Sequence, residues 1–575
     1  MATSHHDHRG RGGGRGLLPG GVSRRRFLAG AAGTGALAVA AGGIGARPAR
    51  AATGGGRAAG LPGIGEVWGW QEQLVRFGTR YTGSPGHAAY VDWLASQLGA
   101  VPGFTVRTDR LTFNRWLARE YALRVDVPAS AGVSGPVPLT YYYPYSGQTP
   151  PGGVTARLVD LGTYLPAAPG TSGSGSTAAF WLSARGAIAL VRTAPPVSSL
   201  AAGQTATGGY EPGKTSAQAA ADYAAYGAVL AHPAWQGIFG PVPLLDARAA
   251  GVRGVICIWT GLPDDEVIHQ YNPFVTPYPA LSGLPAPGDP GCPAVWVGDA
   301  TGAALSRLAA GGQASATLTL TADITAGAAT ETVWGWLKGS GNTGENMIIN
   351  THTDGPNATE ENGELRLFAL ARHLAGLPAR NHDMYFALVT GHFQLPQFTR
   401  IIPDTRNIEI GNDATSVWML DHPGIYRAAT LGVTVEHLGA TRWGDVGGQY
   451  VATGGSDWGA TYTMPRNPLN AANAEQATYL SAVAAVNASG WPDYSVATVR
   501  PGPLPLYLGE GAPLYAAGLG TVSLCPMPTY LLQAGDAQHP ELLDLDKLDQ
   551  RLMYGQILTF ARTIQALDAT PPAGL

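Results

Sequence analysis

The sequence predicts an α/β protein in which a mostly parallel sheet is flanked by helices and interrupted by an inserted β-rich module. Three observations predict this class. After about residue 330, apolar strand patterns alternate with helical ones, beginning with the strand at 347–349 and the helical spacing of 362–375. Between 121 and 329 the chain consists of short β-rich runs separated by Pro, Gly and Ser. Helical patterning also precedes this module, so the α/β domain is predicted to be discontinuous, spanning 60–120 and 330–570.

The first 51 residues are predicted to be an export signal and are excluded from the fold. Residues 23–28 read Ser-Arg-Arg-Arg-Phe-Leu, an Ala/Gly-rich apolar stretch follows, and residues 49–51 offer a small-residue cleavage site. Paired arginines before Phe-Leu resemble the bacterial twin-arginine signal. Since no second apolar span of about 20 residues follows, we expect a secreted or cell-envelope protein without a stable membrane anchor.

Length, charge and cysteine content indicate the number of domains, the kind of partner and the absence of a disulfide framework. About 520 residues remain after the signal, enough for more than one compact unit. The net charge of −4 and the lack of basic runs after the signal argue against nucleic acid, and favour peptides or small molecules as partners. Three cysteines cannot build a disulfide framework, although Cys257 and Cys292 could pair, and Cys525 is expected to be buried. Oligomeric state is left open.

The candidate functional residues cluster after the strand at 347–349. His352 and Asp354 lie at or just beyond its carboxyl end, and Glu361 follows before the helix that begins near Asn362. Ligand-binding groups collect at the carboxyl ends of parallel strands. An imidazole with nearby carboxylates is a donor set that suits a divalent metal, although a histidine at a strand end can also be a hydrogen-bonded structural residue.

These motifs resemble the zinc aminopeptidases of the aminopeptidase Y and glutamate carboxypeptidase kind. The resemblance rests on four stretches in order: Arg-Tyr-Thr-Gly-Ser-Pro-Gly at 80–86, the strand end at 352–354, the acidic turn at 360–363 and the closing helix at 545–564. The inserted module at 121–329 resembles the protease-associated domain that many such enzymes carry. The resemblance implies a metal-dependent hydrolase that cleaves peptide or amide bonds.

Carried over residue by residue, the resemblance implies one complete metal site. His352 matches the first histidine ligand, and Asp354 matches the carboxylate that orients it. Glu361 falls at the bridging carboxylate. Glu436 and His437 alternate along the next ligand strand, so only one can face the crevice, and the resemblance selects Glu436. The predicted ligands are therefore His352, Glu361 and Glu436.

The second metal site of that family is not matched. Where the family has adjacent glutamates after the strand at 385–389, this chain reads Thr-Gly-His-Phe-Gln at 390–394, and where it has a second histidine ligand this chain has Gln533. His539 would substitute only if the loop is longer. His392 could replace the missing base or become a ligand. Glu510 lies where the family has an acidic residue, and its role is left open.

Two functions from different classes follow. The first is an exported hydrolase with one zinc ion, favoured over two, and with His392 and Asp354 in catalytic roles. The second is a non-catalytic descendant that binds peptides or glycans and needs no metal, which the missing Glu-Glu pair and histidine favour. Metal-dependent cleavage of other amides, in cell-wall or small-molecule substrates, remains a third reading because fold alone does not fix the substrate.

Overall fold

The computed structural model describes residues 60–128, 134–164, 178–193, 204–226, 232–235, 242–270, 291–341, 343–398, 400, 402, 413–464, 495–501, 507, 509–535 and 543–569. The twin-arginine stretch with its cleavage site and His539 lie outside these residues.

Strands and helices alternate over most of the described chain. The strands are β1 (Phe104–Asp126), β2 (Gly135–Pro136), β3 (Tyr141–Tyr142), β4 (Val154–Tyr164), β5 (Ile188–Thr193), β6 (Gln204–Tyr210), β7 (Gly254–Ile258), β8 (Ala294–Val297), β9 (Ser315–Leu337), β10 (Asn346–His352), β11 (Asp383–Val389), β12 (Ala429–Val435), β13 (Thr441–Val446), β14 (Gln449–Ser456), β15 (Gly459–Met464), β16 (Val496–Pro501) and β17 (Gly520–Pro526). The helices are α1 (Ile64–Val75), α2 (Pro85–Gly99), α3 (Ala178–Leu182), α4 (Ser216–Tyr226), α5 (Leu244–Ala249), α6 (Asp264–Val267), α7 (Asp299–Ala310), α8 (Gly363–Ala375), α9 (Leu395–Phe398), α10 (Thr415–Asp421), α11 (Pro423–Arg427), α12 (Ala512–Ala516) and α13 (Gln550–Asp568). Three single 3₁₀ turns cover Pro233–Trp235, His392–Gln394 and Leu545–Lys547.

The predicted α/β class is confirmed. Fifteen of the described strands form one mixed sheet, in the order β3-β8-β7-β5-β4-β9-β11-β10-β12-β17-β15-β16-β6, with β1 on β9 and β2 on β1. At its centre β11, β10, β12 and β17 are mutually parallel. Their carboxyl ends therefore meet at one edge, which is where the predicted site residues follow them.

Helices cover both faces of the central strands. Along β10, Met347 and Ile349 pack in the core formed with α1, α2, α8 and α13, whereas Ile348 packs in the core with α10 and α12. This alternation follows from the two-residue repeat of a strand. Each such buried aliphatic side chain contributes about 1.5–3 kcal/mol. Both faces being covered explains why residues 347–349 form a continuous apolar run.

A long antiparallel ribbon links the central sheet to the inserted segment. β1 and β9 each span 23 residues and pair from Phe104 with Leu337 to Asp126 with Ser315. Near one end β9 pairs with β11, and near the other it pairs with β4. The predicted boundaries at 120/121 and 329/330 fall inside this ribbon, so the two parts share one sheet. The predicted buried strands of the insertion are present as β5 and β7.

The three cysteines are buried as free thiols. Cys257, Cys292 and Cys525 are buried and free, so the possible Cys257–Cys292 disulfide is not formed. The Cys292 thiol instead donates to the Val252 carbonyl at 3.2 Å. Among the described helices, none has the length and apolar character needed to cross a bilayer.

Candidate metal centre

His352 is the last residue of β10; its ring is fully buried, and one of its nitrogens is hydrogen-bonded to the main chain. Its Nδ1 donates to the main-chain carbonyl of Asp354 at 2.8 Å, which fixes the ring and leaves Nε2 as the free nitrogen. Nε2 has no hydrogen-bond partner in the described structure. It lies 3.5 Å from Glu360 Oε1 and 3.8 Å from Glu361 Oε2. This is the arrangement of a histidine prepared to bind a metal.

His437 presents a second free nitrogen to the same two carboxylates. Its Nδ1 donates to the Pro526 carbonyl at 2.5 Å. Its Nε2, also without a well-directed hydrogen bond among the described groups, lies 2.5 Å from Glu360 Oε2 and 3.5 Å from Glu361 Oε2. The backbone of His437 is left-handed, with φ 57°. The residue follows the end of β12, so the alternation used to choose between Glu436 and His437 no longer applies there.

Glu436, the predicted ligand, does not share the group formed by His352 and Glu361. Its Oε1 accepts the Glu510 amide at 2.7 Å, and its Oε2 accepts the Cys525 thiol at 3.1 Å. A Cβ on Gly509 would lie 2.1 Å from Glu436 Oε2, so the turn preceding Glu510 closes tightly over this carboxylate. Glu436 therefore holds the turn that carries Glu510, while His437 takes the place beside His352 and Glu361.

Glu361, predicted as a ligand, is hydrogen-bonded through one carboxylate oxygen, and the other oxygen accepts no hydrogen bond from a described residue. Oε1 accepts the Thr351 hydroxyl at 2.9 Å and the Gly363 amide, and Oε2 has no hydrogen-bond partner among the described residues. A Cβ on Gly363 would lie 2.2 Å from Glu361 Oε1 and 1.9 Å from the Val435 carbonyl, so only glycine fits. Glu360, which sequence reasoning did not single out, lies beside it; the peptide bond joining the two is cis.

Three of these side chains fit one divalent cation. His352, Glu361 and His437 place one ligand atom each within 4.8 Å of one another, and all are buried. A tetrahedral zinc site with bonds of about 2.0–2.1 Å requires ligand atoms about 3.3 Å apart. Nε2 of His352 and Nε2 of His437 lie 3.8 and 3.5 Å from Glu361 Oε2, which is close to this value. Buried ligand-type atoms that lack hydrogen bonds are costly unless a cation satisfies them.

The surrounding charge also calls for a cation. Burial raises the pKa of Glu361 well above its ordinary range; the nearby His437 opposes this rise, and the carboxylates of Glu364, Glu436 and Glu360 add to it. Burial likewise raises the pKa of Asp413, with Glu510 adding to the shift. The pocket thus holds more carboxylates than its imidazoles can neutralise, which a divalent ion would correct.

The Arg-Tyr-Thr-Gly-Ser-Pro-Gly stretch at 80–86 holds the loop that carries the candidate ligands through side-chain hydrogen bonds. The buried Arg80 guanidinium donates to the carbonyls of Asn357 (3.0 Å), Glu360 (3.2 Å) and Glu361 (2.7 Å) and so fixes the acidic turn. Thr82 donates to Asp354 Oδ2 at 2.6 Å. Ser84 then caps α2, with Pro85 at its first turn. This explains why a motif distant in sequence accompanies the ligand residues.

Asp354 organises the neighbouring loop with its carboxylate. Its oxygens accept the main-chain amides of Gly391 (3.2 Å), His392 (3.3 Å) and Phe393 (2.9 Å). Burial by itself would raise its pKa, but His352, His87 and Thr82 hold the pKa below the ordinary value. The predicted orientation of His352 is provided by the Asp354 carbonyl, since the carboxylate lies 3.8 Å from the ring nitrogen.

His392 lies against His352, with ring centroids 3.9 Å apart and planes inclined by 16°. Its Nδ1 donates to Glu510 Oε1 at 2.7 Å, and Glu510 Oε2 accepts the Thr415 amide at 2.7 Å. Burial would lower the pKa of His392, but Glu510, Asp413 and Glu360 raise it to about 10. These carboxylates favour the protonated ring, which donates hydrogen bonds. Its donor atoms also group with Asp413 and Glu510.

Gln533 occupies the place of the expected second histidine but turns toward the insertion. Its Nε2 donates to the Glu266 carbonyl at 3.1 Å. Its main-chain carbonyl accepts Asn357 Nδ2 at 2.8 Å, while Asn357 Oδ1 accepts the Glu360 amide at 2.9 Å. The C-terminal loop is thus tied both to α6 and to the acidic turn.

The fold and this donor set define a zinc aminopeptidase-like protein architecture. The chain is similar to the aminopeptidase of Aneurinibacillus sp. strain AM-1, with 15% identity, a TM-score of 0.51 and coverage of 88% of this chain and 94% of that chain. A zinc aminopeptidase from Bacillus subtilis has 15% identity and a TM-score of 0.51, with coverage of 88% of this chain and 95% of that chain. A peptidase M28 precursor from Shewanella amazonensis has 14% identity and a TM-score of 0.53, with coverage of 88% of this chain and 98% of that chain. No family model and no curated protein matches the chain. At these identities the likeness establishes the fold.

Proposed function

We propose that this protein is an exported metal-dependent hydrolase that cleaves peptide or related amide bonds, with one zinc ion held by His352, Glu361 and His437. One observation carries the proposal. Nε2 of both histidines and Oε2 of Glu361 are buried and converge on one point, and none of the three makes a well-directed hydrogen bond in the described structure; His437 Nε2 also lies 2.5 Å from Glu360 Oε2. Three protein ligands with a fourth position for water are typical of catalytic zinc. Export rests on the twin-arginine resemblance of residues 23–28 alone.

Glu360 is the residue we propose as general base. Glu361 Oε1 accepts the Thr351 hydroxyl, which leaves Oε2 facing the imidazoles as in a metal ligand, whereas Glu360 Oε2 lies against His437 Nε2 at 2.5 Å. The metal, when bound, polarises the scissile carbonyl and lowers the pKa of its water. Glu360 lies beside both imidazoles, so its carboxylate can take the proton of a water held there. Arg80 fixes its position through the main chain.

His392 is proposed as a hydrogen-bond donor to the reacting oxygen or the leaving amine. Its imidazole groups with His352 and Glu360, and Glu510 both fixes Nδ1 and raises its pKa. The sequence suggested His392 as a base; the neighbouring carboxylates favour its protonated form instead, and a protonated imidazole can donate a proton. Asp354 positions the His392 amide and so acts through the loop.

Glu360→Gln tests the proposal, because it keeps the shape of the side chain and removes the basic oxygen. We expect about one zinc per chain in both proteins, and kcat lower by about 10²–10⁴-fold in the variant, on aminoacyl p-nitroanilides or dipeptides. Glu345→Gln, directly before β10 and beside His382, is the matched control and should change neither quantity. Loss of zinc from Glu360→Gln would instead make Glu360 a fourth ligand of a closed structural site and would contradict the catalytic assignment.

A binding protein without catalysis is the second candidate. It is favoured by the absence of glutamates after β11 and by Gln533 in place of a histidine. Wild-type protein that contains zinc, binds peptides or glycans and hydrolyses no peptide or amide substrate would establish this reading over the first.

A further inference from the structure

A cavity of about 390 Å³ lies within the inserted segment, and none of its described lining residues belongs to the candidate metal centre. Its walls come from the loop after β3, from α5 and the turn that follows it, from the residues before β8 and from β9. A cavity of this size is typical of sites that bind small organic molecules. The inserted segment therefore has a candidate binding site of its own.

The charged and amide side chains that line this cavity offer hydrogen-bond donors. Arg248 and Arg253 are both exposed and line it together, and no carboxylate side chain is among its described lining residues. Gln148 Oε1 accepts the Ala322 amide at 2.6 Å, so the Nε2 donors of Gln148 are the part of its amide that remains for a ligand. Two positive charges and further donors, without acidic partners among these residues, suit an anionic ligand.

The Arg248 guanidinium lies near the wall of the cavity formed by Cys292. Burial raises the pKa of the Cys292 thiol to about 12, and the positive charge of Arg248 opposes this rise. The thiol itself is 1% exposed and donates to the Val252 carbonyl at 3.2 Å, so it already has its partner. The charge that acts at this wall is therefore that of the arginine.

Main-chain contacts fix the wall between the loop after β3 and the residues before β8. The Gly147 amide donates to the Cys292 carbonyl at 3.1 Å, and the Cys292 amide donates to the Leu244 carbonyl at 3.0 Å. A Cβ on Gly147 would lie 2.2 Å from the Gly291 carbonyl oxygen, so the two backbones approach as closely as glycine allows. This wall of the cavity is therefore part of the packed structure of the inserted segment.

We propose that this cavity binds a small organic anion whose carboxylate or phosphate group is held by Arg248 and Arg253. Guanidinium groups bind both kinds of anion through paired N–H donors. The apolar portion of the ligand would pack on Pro293 and on Ile324, which is 39% exposed. The inference goes beyond the proposed function, because it assigns the inserted segment a binding site that needs no metal.

Calorimetric titration of the isolated protein with hippurate, hippuramide and phenyl phosphate tests the proposal. Hippurate and hippuramide differ only in the carboxylate, and phenyl phosphate carries the other anion on an aromatic group. Binding of either anion, without binding of hippuramide, supports the site, and the tighter of the two anions identifies the group that the site selects. Absence of binding by both anions, or equal binding of hippurate and hippuramide, overturns the inference.

Matched variants separate this cavity from the metal centre, which could also attract an anion. Arg248→Gln and Arg253→Gln should each weaken anion binding by about 10-fold or more, whereas Arg307→Gln, at an exposed position of α7, should leave it unchanged. Anion binding should also persist in His437→Ala, which is expected to lose zinc. Wild-type affinity in both cavity variants, or loss of binding in His437→Ala, overturns the inference. Zinc content and hydrolysis, measured on the same proteins, report separately on the proposed function.

Discussion

The sharpest prediction separates the two neighbouring residues after β12. His437→Ala should abolish stoichiometric zinc, whereas Glu436→Gln should retain it, because only the His437 imidazole faces His352 and Glu361. A four-ligand structural zinc contributes about 10–16 kcal/mol, or about 2.5–4 kcal/mol per ligand. Losing one ligand should therefore weaken zinc binding by about 10²–10³-fold. Glu436→Gln should lower activity through the turn that carries Glu510.

Zinc affinity is measured by competition with a chromophoric chelator, and bound metal by elemental analysis after dialysis. Far-ultraviolet circular dichroism of the metal-free proteins checks that both variants are folded. A zinc affinity of His437→Ala equal to that of wild type would refute the reasoning. If Glu436→Gln lost zinc affinity as well, the ligand set would be His352, Glu361 and Glu436, as the sequence indicated.

Three further predictions concern the supports of the site and the fold. Arg80→Met should lower the free energy of unfolding by about 3–5 kcal/mol in denaturant titration, since three buried carbonyls lose their donor. Gly363→Ala should lower both zinc content and the melting temperature, because a Cβ there meets two oxygens, whereas Gly65→Ala, with open space in α1, should raise stability by about 0.5–1 kcal/mol. Burial would raise the pKa of Asp568, but His382 and neighbouring main-chain amides hold this pKa below the ordinary value. The ionised carboxylate therefore stabilises the fold above about pH 4, and this stabilisation is lost as the pH falls. Asp568→Asn should reduce the acid dependence of the free energy of unfolding in denaturant titrations at several pH values.

The sequence predicted those parts of the molecule that follow from local periodicity. The strand at 347–349 and the helix after Asn362 carry clear two-residue and 3.6-residue patterns, and their order placed His352 at the carboxyl edge of the sheet. Parallel pairing of β10, β11 and β12 then brings the ends of three strands together. This information is present in sequence because burial on both faces imposes continuous apolar runs.

The ligand detail could not be predicted in the same way. The resemblance selected Glu436, and the expectation that only one of Glu436 and His437 faces the crevice assumed that strand alternation continues; the left-handed backbone at His437 ends that alternation. Glu360 was visible as the neighbour of Glu361, yet only the three-dimensional turn held by Arg80 shows that both carboxylates face the imidazoles. The Arg80 motif was itself a usable signal, since a buried arginine so placed must find acceptors.

Two residues at positions where the sequence departs from the two-metal pattern of the family it resembles are hydrogen-bonded within the protein. His392 is bonded to Glu510, and the amide nitrogen of Gln533 is bonded to the Glu266 carbonyl. A chain that had abandoned metal binding altogether would be expected to satisfy the first position too, because buried unpaired polar groups cost about 1–3 kcal/mol each and charged ones more.

At that first position the unsatisfied atoms persist. Nε2 of His352, Nε2 of His437 and Oε2 of Glu361 still lack hydrogen bonds within the described structure, and they are the atoms that one ion would coordinate. One bound cation would satisfy these three atoms, whereas His392 already has a protein partner in Glu510 and needs none.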